Sequence, residues 1–324
     1  MRAASYTSKG PATEVLKIVS KPDPEPRAGE VRVRLAFSGV NPSDVKSRSG
    51  AASRGSAYPE VIPHSDGAGV VDKLGAGAPD LSGRRVWMYN AQWDRPFGSA
   101  AEYVTLPAAQ VVPLPDSLSF ETGASIGIPL MTAMHAVQSC GNLLGKTVLV
   151  PGAAGAVGFY VTQLANMAGA RVIAIVSSAE KAVIAQAAGA ADTINYKTDQ
   201  VPLQVQALTA GQGADFIIEV DAASHAAHYG SLLSFGGKAV IYGTGNPQIN
   251  LTFGPLILGF VTLYFFIVYK LPPAALRTVI DAVNAAILRP GFQHPPTAIY
   301  GLDQIAAAHE QVERGANAKV LIRL

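Results

Sequence analysis

The sequence predicts an α/β protein in which a β-rich region is followed by a doubly wound parallel sheet. Residues 30–40, EVRVRLAFSGV, alternate polar and apolar side chains, which is the pattern of a strand with one buried face. From Thr147 onward, unalternating apolar strands such as TVLVPG and RVIAIVS alternate with helical segments, which is typical of a parallel sheet covered on both faces. The 324 residues exceed the usual size of a single core, so two domains are expected.

The other segments extend these two patterns. Strand pieces broken by glycine or proline are predicted in residues 66–89 and 98–115, and a helical pattern in 115–137 bridges to the parallel sheet. Beyond the sheet, an amphipathic helix with prolines in its first turn is predicted in 272–288. A further helix and a closing strand, AKVLIRL, complete the chain.

Composition excludes several functional classes. The formal net charge is +2 and no basic stripe stands out, so no nucleic-acid partner is expected. A single cysteine, Cys140, excludes an internal disulfide and a cysteine-rich zinc site. The N-terminal stretch MRAASYTSKGP has no apolar core, so we expect no signal peptide and a cytoplasmic location.

The most apolar run is Leu256–Tyr269, which contains no charged residue. It is shorter than the roughly 18–20 residues that a membrane-spanning helix needs, so no membrane association is expected. Its β-branched and aromatic side chains, among them Val261 and Phe266, favour a strand over a helix.

A glycine-rich loop follows the first strand of the parallel sheet. It has the spacing Gly152-x-x-Gly155-x-x-Gly158 and opens a helix. Such a loop lets the backbone approach a pyrophosphate, which the N–H groups of the helix N-terminus then bind. The loop residues predicted to contact the cofactor are Gly152, Ala154, Gly155, Ala156, Val157 and Gly158.

The ends of the following strands predict the type of cofactor. The second strand ends in Ser177 and Ser178, with Lys181 one turn later, and no carboxylate stands at the strand end. Two hydroxyls and a cation suit a 2′-phosphate, so NADPH is favoured over NADH, although Lys181 also fits an ordinary exposed helix lysine. Later strands end in residues that should border the ribose and nicotinamide: Val220, Asp221, Tyr242, Gly243 and Thr244.

An ordered set of motifs resembles one known family, the zinc-free NADPH:quinone oxidoreductases related to zeta-crystallin, within the medium-chain dehydrogenase/reductase superfamily. The motifs are GVNPSD (39–44), DGAGVV (66–71), PLMTA (129–133), AAGAVG (153–158), INY (194–196), YGTG (242–245) and IAAAHEQVERG (305–315). The resemblance implies a GroES-like catalytic domain from residues 1–122 and 268–324 and a Rossmann domain from 123–267. It also implies a homodimer joined through an edge strand near Val261–Tyr264.

The resemblance also implies roles for individual residues. Asn41 contacts the nicotinamide or the substrate, Asp44 orders the same loop, and Lys46 or Tyr58 donates a proton. A plain turn at Asn41, a helix N-cap at Asp44 and a surface loop around Lys46 and Tyr58 are the structural alternatives. Further cofactor contacts are implied for Thr132, Tyr196, Phe265, Phe266, Ile267, Asn317 and Lys319. For Lys319, a plain lysine at a strand edge is the alternative.

The positions of the zinc ligands in related dehydrogenases carry other residues here, namely Asn41, Ser65 and Ile128. His64 is one residue out of register, and no catalytic metal is expected. His225 and His228 have a spacing that suits ligands on a helix, but a solvated or capping helix is favoured. The predicted activity is hydride transfer from NADPH to a quinone or an α,β-unsaturated carbonyl. The alternatives are an enoyl- or acrylyl-type reductase, a non-catalytic NADPH-binding protein and a zinc alcohol dehydrogenase.

Overall fold

The computed structural model describes residues 1–51 and 58–324. The strands, in chain order, are β1 (Arg2–Ser5), β2 (Lys17–Ser20), β3 (Glu30–Gly39), β4 (Asp66–Leu74), β5 (Arg85–Met88), β6 (Tyr103–Pro107), β7 (Val111–Pro113), β8 (Thr147–Pro151), β9 (Arg171–Val176), β10 (Asp192–Asn195), β11 (Ala214–Glu219), β12 (Leu233–Ile241), β13 (Thr262–Phe265), β14 (Thr297–Gly301) and β15 (Lys319–Arg323). The helices are α1 (Ala12–Val15), α2 (Pro42–Ser49), α3 (Phe120–Cys140), α4 (Ala156–Met167), α5 (Ala179–Ala187), α6 (Val201–Leu208), α7 (Ala222–His225), α8 (Tyr229–Leu232), α9 (Phe253–Leu258), α10 (Pro273–Ile287) and α11 (Ile305–Glu313).

The chain forms two units, Met1–Ile128 with Pro296–Leu324, and Pro129–Pro295. The second boundary lies beyond the predicted one at residue 267, because α10 and the residues after it stay with the second unit. Side chains of α4 hold that segment: the Tyr160 hydroxyl lies 2.9 Å from His294 Nδ1, and Gln163 Nε2 donates to the Gln293 carbonyl at 3.0 Å.

The first unit is the predicted β-rich domain. Its main sheet has the strand order β14-β15-β3-β4-β5-β7, with β6 paired to β3. All pairs are antiparallel except β14 with β15. The inward side chains of β3 alternate as the sequence predicted, since Val31 and Val33 are fully buried between polar neighbours.

The second unit contains the predicted parallel sheet, with the order β10-β9-β8-β11-β12-β13. Every neighbouring pair is parallel. The first of these strands along the chain, β8, lies in the middle of the sheet. The next two, β9 and β10, extend the sheet on one side of β8, and β11, β12 and β13 extend it on the other side. Ligands of such sheets bind at the carboxyl ends of the strands, where the order reverses beside the first strand.

The apolar run is only partly the strand that its composition favoured. Its first residues complete α9, which ends at Leu258, and the strand is limited to β13. The chain turns between them at Phe260, whose φ is 51° and whose side chain is 70% exposed. Among the described residues, no helix is long and apolar enough to cross a bilayer.

A kink interrupts α3 where the first unit ends. Gly127 has φ −33° and ψ −110°, which is not helical, and Pro129 follows two residues later. Because of the kink, the backbone N–H of Ile128 donates its hydrogen bond outside the helix, to Asp66 Oδ1 at 2.7 Å. A Cβ at Gly127 would lie 2.3 Å from Asp66 Oδ1, so the kink requires glycine.

Replacing Gly127 by alanine should therefore destabilise the protein by about 1–3 kcal/mol, because the added methyl overlaps the Asp66 carboxylate. Urea unfolding of the variant measures the loss. Gly254→Ala is the matched control, since a Cβ there meets nothing within 4 Å. Equal stability of the two variants would contradict the steric account of the kink.

Candidate functional site

The glycine loop joins β8 to α4 as predicted. Gly152 has φ +68°, a left-handed conformation that L side chains rarely adopt. A Cβ at Gly158 would lie 2.2 Å from the Gly152 carbonyl oxygen, so these two glycines let the loop fold back onto the first turn of the helix. Gly155 is the N-cap of α4, and its side-chain-free backbone leaves the helix N-terminus open to an anion.

The end of β9 carries the residues predicted to select NADPH. Ser178 is the N-cap of α5: its hydroxyl accepts a hydrogen bond from the Lys181 backbone N–H at 3.3 Å. The same hydroxyl bonds to the Glu180 side chain and lowers the pKa of that carboxyl. Ser177 and Lys181 are half-buried at this edge, and Tyr196 is 52% exposed. The Ser178 hydroxyl is thus used to cap α5, and its neighbour is the Glu180 carboxylate rather than a positively charged group.

The ends of β11 and β12 form one hydrogen-bonded loop structure. Gly245 N donates to Asp221 Oδ1 at 2.5 Å, and Ser224 donates to Asp221 Oδ2 at 2.7 Å, so the Asp221 carboxylate shapes the loop. Thr244 contributes in the same way, because its hydroxyl donates to the Asn246 carbonyl at 2.6 Å. A Cβ at Gly243 would lie 2.3 Å from the Val220 carbonyl oxygen, so the two strand ends touch.

Beneath this loop lies a buried carboxylate that the sequence reasoning missed. Glu219, the last residue of β11, is fully buried and accepts hydrogen bonds from Asp221 N at 2.7 Å and from the Tyr229 hydroxyl at 3.2 Å. His225 Nδ1 lies 3.1 Å from the same carboxylate. Burial alone would lower the pKa of His225, but the hydrogen bond and charge of Glu219 raise it. The sequence feature that could have indicated this site is a charged residue, Glu219, at the end of an apolar strand, followed six positions later by His225.

An aromatic cluster lines the sheet edge on the same side as α3. The Phe266 ring packs edge-on against His135, with centroids 4.7 Å apart, and lies within 6.4 Å of the Tyr242 ring. His135 Nε2 lies 3.1 Å from the Tyr264 hydroxyl. Of the other predicted contacts, Thr132 is buried in α3, whereas Phe265 and Ile267 are 56% and 45% exposed.

In the first unit the structure brings together Asn41 and Lys319, which the sequence placed in separate groups. Lys319 Nζ donates to Asn41 Oδ1 at 2.7 Å, to Asp66 Oδ2 at 2.9 Å and to the Val40 carbonyl at 3.1 Å. Asn41 Nδ2 donates to Asp66 Oδ2 at 2.7 Å. We call Asn41, Asp66 and Lys319 the buried polar cluster; each is at most 3% exposed. Lys319, predicted as a cofactor contact, has all three ammonium hydrogens engaged here.

Asp44 lies beside this cluster in the first turn of α2. Its Oδ2 accepts the Asn41 backbone N–H at 2.8 Å. Asn41 is the N-cap of α2 and Asp44 is the third residue of the helix, so the alternative that Asp44 is itself the N-cap is wrong. Burial raises its pKa to about 7, the neighbouring Asp66 charge adds to the rise, and the Asn41 hydrogen bond opposes it.

The other predicted residues of this unit lie apart. Lys46 is half-buried on α2, where its carbonyl accepts the Gly50 N–H at 3.1 Å. The Tyr58 hydroxyl donates to the Asp94 carbonyl at 2.5 Å, and Asn317 is exposed. Part of the loop before Tyr58 falls in residues 52–57, outside the described residues.

His64 and His309 form a buried pair, with their Nε2 atoms 2.9 Å apart and their rings stacked. A chain of hydrogen bonds fixes their protons. The Ser99 hydroxyl donates to the Asp66 carbonyl, so it must accept from Ser38, and Ser38 must accept from His64 Nδ1. His64 Nε2 is then the acceptor and His309 Nε2 the donor. Burial lowers the pKa of both rings, that of His309 to about 3, and keeps them neutral.

No group of three His, Cys, Asp or Glu side chains that could hold a metal ion occurs in residues 1–51 and 58–324. Asn41 and Ile128 both bond to Asp66, and His228 is exposed.

Comparisons with known proteins agree with this architecture. The profile of the alcohol dehydrogenase GroES-like domain matches residues 27–116, and that of zinc-binding dehydrogenases matches residues 156–285. Human quinone oxidoreductase is 32% identical in an alignment of 330 positions, which covers 98% of this chain and 95% of that protein.

Solved structures extend the likeness to both units. The quinone oxidoreductase of Thermus thermophilus, whose complex with NADPH is known, is 28% identical with a TM-score of 0.81. An NAD-dependent alcohol dehydrogenase is 29% identical with a TM-score of 0.88. Each comparison covers 100% of both chains.

The raised pKa of Asp44 predicts a pH-dependent stability. Between pH 3.8, its ordinary pKa, and about 7, the folded protein keeps a proton that the unfolded chain has lost, so stability falls as pH rises. The Asp44 contribution has a slope approaching roughly 1.4 kcal/mol per pH unit. Asp44→Asn should remove this contribution, whereas Asp281→Asn, at an exposed site on α10, should leave it. Urea unfolding across this range measures it, and equal slopes for wild type and Asp44→Asn would refute it.

Proposed function

Because the chain belongs to the quinone oxidoreductases of the medium-chain dehydrogenase/reductase family, we propose that it reduces a quinone or an α,β-unsaturated carbonyl with NADPH and without a metal. The observation that carries the proposal is the glycine loop, in which Gly152 and Gly158 open the N-terminus of α4 at the centre of the parallel sheet. Such an arrangement suits the pyrophosphate of a dinucleotide.

Bound NADPH would supply a hydride, and residues of the second unit would bind the NADPH. The backbone of the glycine loop binds the pyrophosphate, and Tyr196 lies beside the adenosine. Ser177 and Lys181 bind the 2′-phosphate. Ser178 supports them as the cap of α5, and the preference for NADPH over NADH depends on Lys181 outweighing the nearby charge of Glu180.

Residues of the first unit bind the electron acceptor. The Asn41 side chain donates a hydrogen bond to the acceptor oxygen, which gains negative charge as the hydride arrives. The product also needs a proton, for which Lys46 and Tyr58 are the proposed donors. Metal independence is supported by the donor set: Asn41 and Asp66 are already bonded to the Lys319 ammonium, a positive charge that disfavours a second cation.

The proposal predicts oxidation of NADPH, faster than that of NADH, by at least one member of a panel of quinones, alkenals and enones. Lys181→Ala should raise KM for NADPH about tenfold, by loss of roughly 1.4 kcal/mol of phosphate binding, and leave KM for NADH unchanged. The control is Lys17→Ala, an exposed lysine on β2.

Steady-state absorbance at the nicotinamide band measures both effects. Faster turnover with NADH would overturn the cofactor assignment. Binding of NADPH without turnover of any acceptor would favour the non-catalytic alternative, and reduction of enones alone would favour an enoyl-type reductase.

We also propose that two copies pair through β13. Within the described residues, β12 is the only strand that pairs with β13, and an unpaired strand edge is a template for another chain. The neighbouring side chains of Phe253, Leu258 and Phe260 are at least 70% exposed. By contrast, Val261 and Leu263 pack into the core of their own unit, so they are unsuitable for testing the interface.

A charge at the exposed Thr262 should therefore weaken the dimer without disturbing the core. Light scattering after size exclusion should show a wild-type dimer and a larger monomer fraction for Thr262→Glu. Thr198→Glu, at an exposed site after β10, is the matched control. A monomeric wild type would refute the interface.

A further inference from the structure

A buried carboxylate lies at the edge of the sheet where the cofactor is proposed to bind. Glu219 ends β11, the neighbour of β8, and is fully buried. A charge removed from water is costly unless it is paired and hydrogen-bonded. Glu219 accepts the Asp221 N–H at 2.7 Å and the Tyr229 hydroxyl at 3.2 Å. These bonds hold the chain after β11 around the carboxylate.

The segment that Glu219 holds contacts both neighbouring parts of this edge. A Cβ at Gly152 in the glycine loop would lie 3.0 Å from Val220 Cγ1. A Cβ at Gly243 would lie 2.3 Å from the Val220 carbonyl oxygen. Val220 therefore lies between the glycine loop and the end of β12, and a displacement of Val220 would disturb both.

The same segment is bonded directly to the loop after β12. The Ala222 N–H donates to the Gly243 carbonyl at 3.2 Å. The Gly245 N–H donates to Asp221 Oδ1 at 2.5 Å. We call residues 220–222 and 243–245 the paired loops. Glu219 fixes the first loop at the Asp221 N–H, and the bonds between the loops pass this constraint to the second.

His225 is placed to balance the charge of Glu219. Its Nδ1 lies 3.2 Å and 3.1 Å from the two carboxylate oxygens, and its side chain is 21% exposed. Burial opposes a charge on His225, but the hydrogen bond and charge of Glu219, with the charge of Asp221, raise its pKa. Burial and the charge of Glu219 also raise the pKa of Tyr229, so its hydroxyl keeps its proton and donates. The titratable groups around the pair are Asp221, Tyr229 and Tyr242, whereas His228 is exposed.

We propose that Glu219 and His225 are positioning residues, which hold the paired loops in the shape that receives the ribose and nicotinamide of the cofactor. The proposal rests on the proposed function for the identity of that ligand. Neither side chain touches the cofactor. Their effect passes through the backbone of the paired loops, because a loop that must first be ordered binds more weakly.

Amide hydrogen exchange tests the positioning without any ligand. The buried Ala222 N–H, which joins the paired loops, should exchange slowly in the wild type. Glu219→Gln keeps the length of the side chain but presents an NH₂ group where donors need an acceptor. It should speed the exchange of Ala222 at least about tenfold. Equal exchange in the variant and the wild type would overturn the proposal.

Asp215→Asn is the matched control. Asp215 lies near the opposite end of β11 and is bonded in a similar way, since it accepts from Thr147 N at 2.8 Å and from Lys146 Nζ at 3.0 Å. Its replacement should leave the exchange of Ala222 and the binding of cofactor unchanged. Equal effects of the two variants would show a general loss of stability and overturn the positioning role.

Binding of the cofactor tests the consequence for function. Glu219→Gln should raise Kd for NADPH and for NADH by the same factor, about tenfold, because the two share the ribose and nicotinamide. Titration of the reduced nicotinamide by fluorescence measures both. A loss confined to NADPH would overturn the proposal. A wild type that binds neither cofactor would instead refute the proposed function, and the exchange of Ala222 would still decide whether Glu219 holds the loops.

A pH profile separates the charge pair from plain structural support. Between pH 6.5, the ordinary pKa of histidine, and the raised pKa of His225, the ordered loops keep a proton that disordered loops have lost. Kd for NADH should therefore rise with pH across this window and level off above it. NADH is the probe because a 2′-phosphate itself titrates near pH ~6.

His225→Gln, which retains a donor but cannot titrate, should flatten this profile. Because His225 is half-buried, the variant also serves should Glu219→Gln fail to fold. A wild-type profile without the rise, or the same rise in His225→Gln, would overturn the role of His225.

Discussion

Burial of the Asp66 carboxylate constrains the first unit more than any other single feature, because a carboxylate removed from water has to be paired and hydrogen-bonded. Its partners come from widely separated parts of the chain: Asn41 before α2, Ile128 at the kink of α3, and Lys319 at the start of β15. Segments from the N-terminal and C-terminal parts of the first unit therefore meet at one charge. Glycine at position 127 follows from the same charge, since a Cβ there would lie 2.3 Å from Asp66 Oδ1. Glycine at position 39 is required mainly by the Ala124 carbonyl oxygen, which would lie 2.5 Å from an added Cβ.

The second unit solves a related problem at its strand ends. Parallel strands bring polar groups to one edge of the sheet, and each must find a partner or remain available to a ligand. Glu219 is satisfied from within by His225, Tyr229 and the Asp221 N–H. The N-terminus of α4 is instead left open by glycines. This contrast between a satisfied edge and an open helix N-terminus supports the proposed position of the cofactor.

Local pattern predicted the parts of the molecule that depend on neighbours in sequence. Period-two alternation located β3, and the glycine spacing located the turn between β8 and α4. The resemblance supplied Asn41, Asp44 and Lys319 as separate residues. The bonds of Asn41 and Lys319 to Asp66 could not be predicted, because the contacts among these three residues span up to 278 positions and nothing in SDGAGVV reveals a partner. The prediction of a single strand in the apolar run was wrong for another reason. The chain turns at Gly259 and Phe260, so the run contains the end of a helix and a strand, which its overall composition cannot distinguish.

The histidine pair has a consequence for how this unit can vary. The hydrogens along His309, His64, Ser38 and Ser99 all run in one direction, toward the carbonyl of Asp66. This chain of hydrogen bonds has one direction, so its two imidazoles are not equivalent: His309 donates the hydrogen between them, and His64 accepts it. A substitution at either position must preserve that polarity or be accompanied by a change at the other. The two sites, 245 positions apart, are therefore expected to vary as a unit rather than independently.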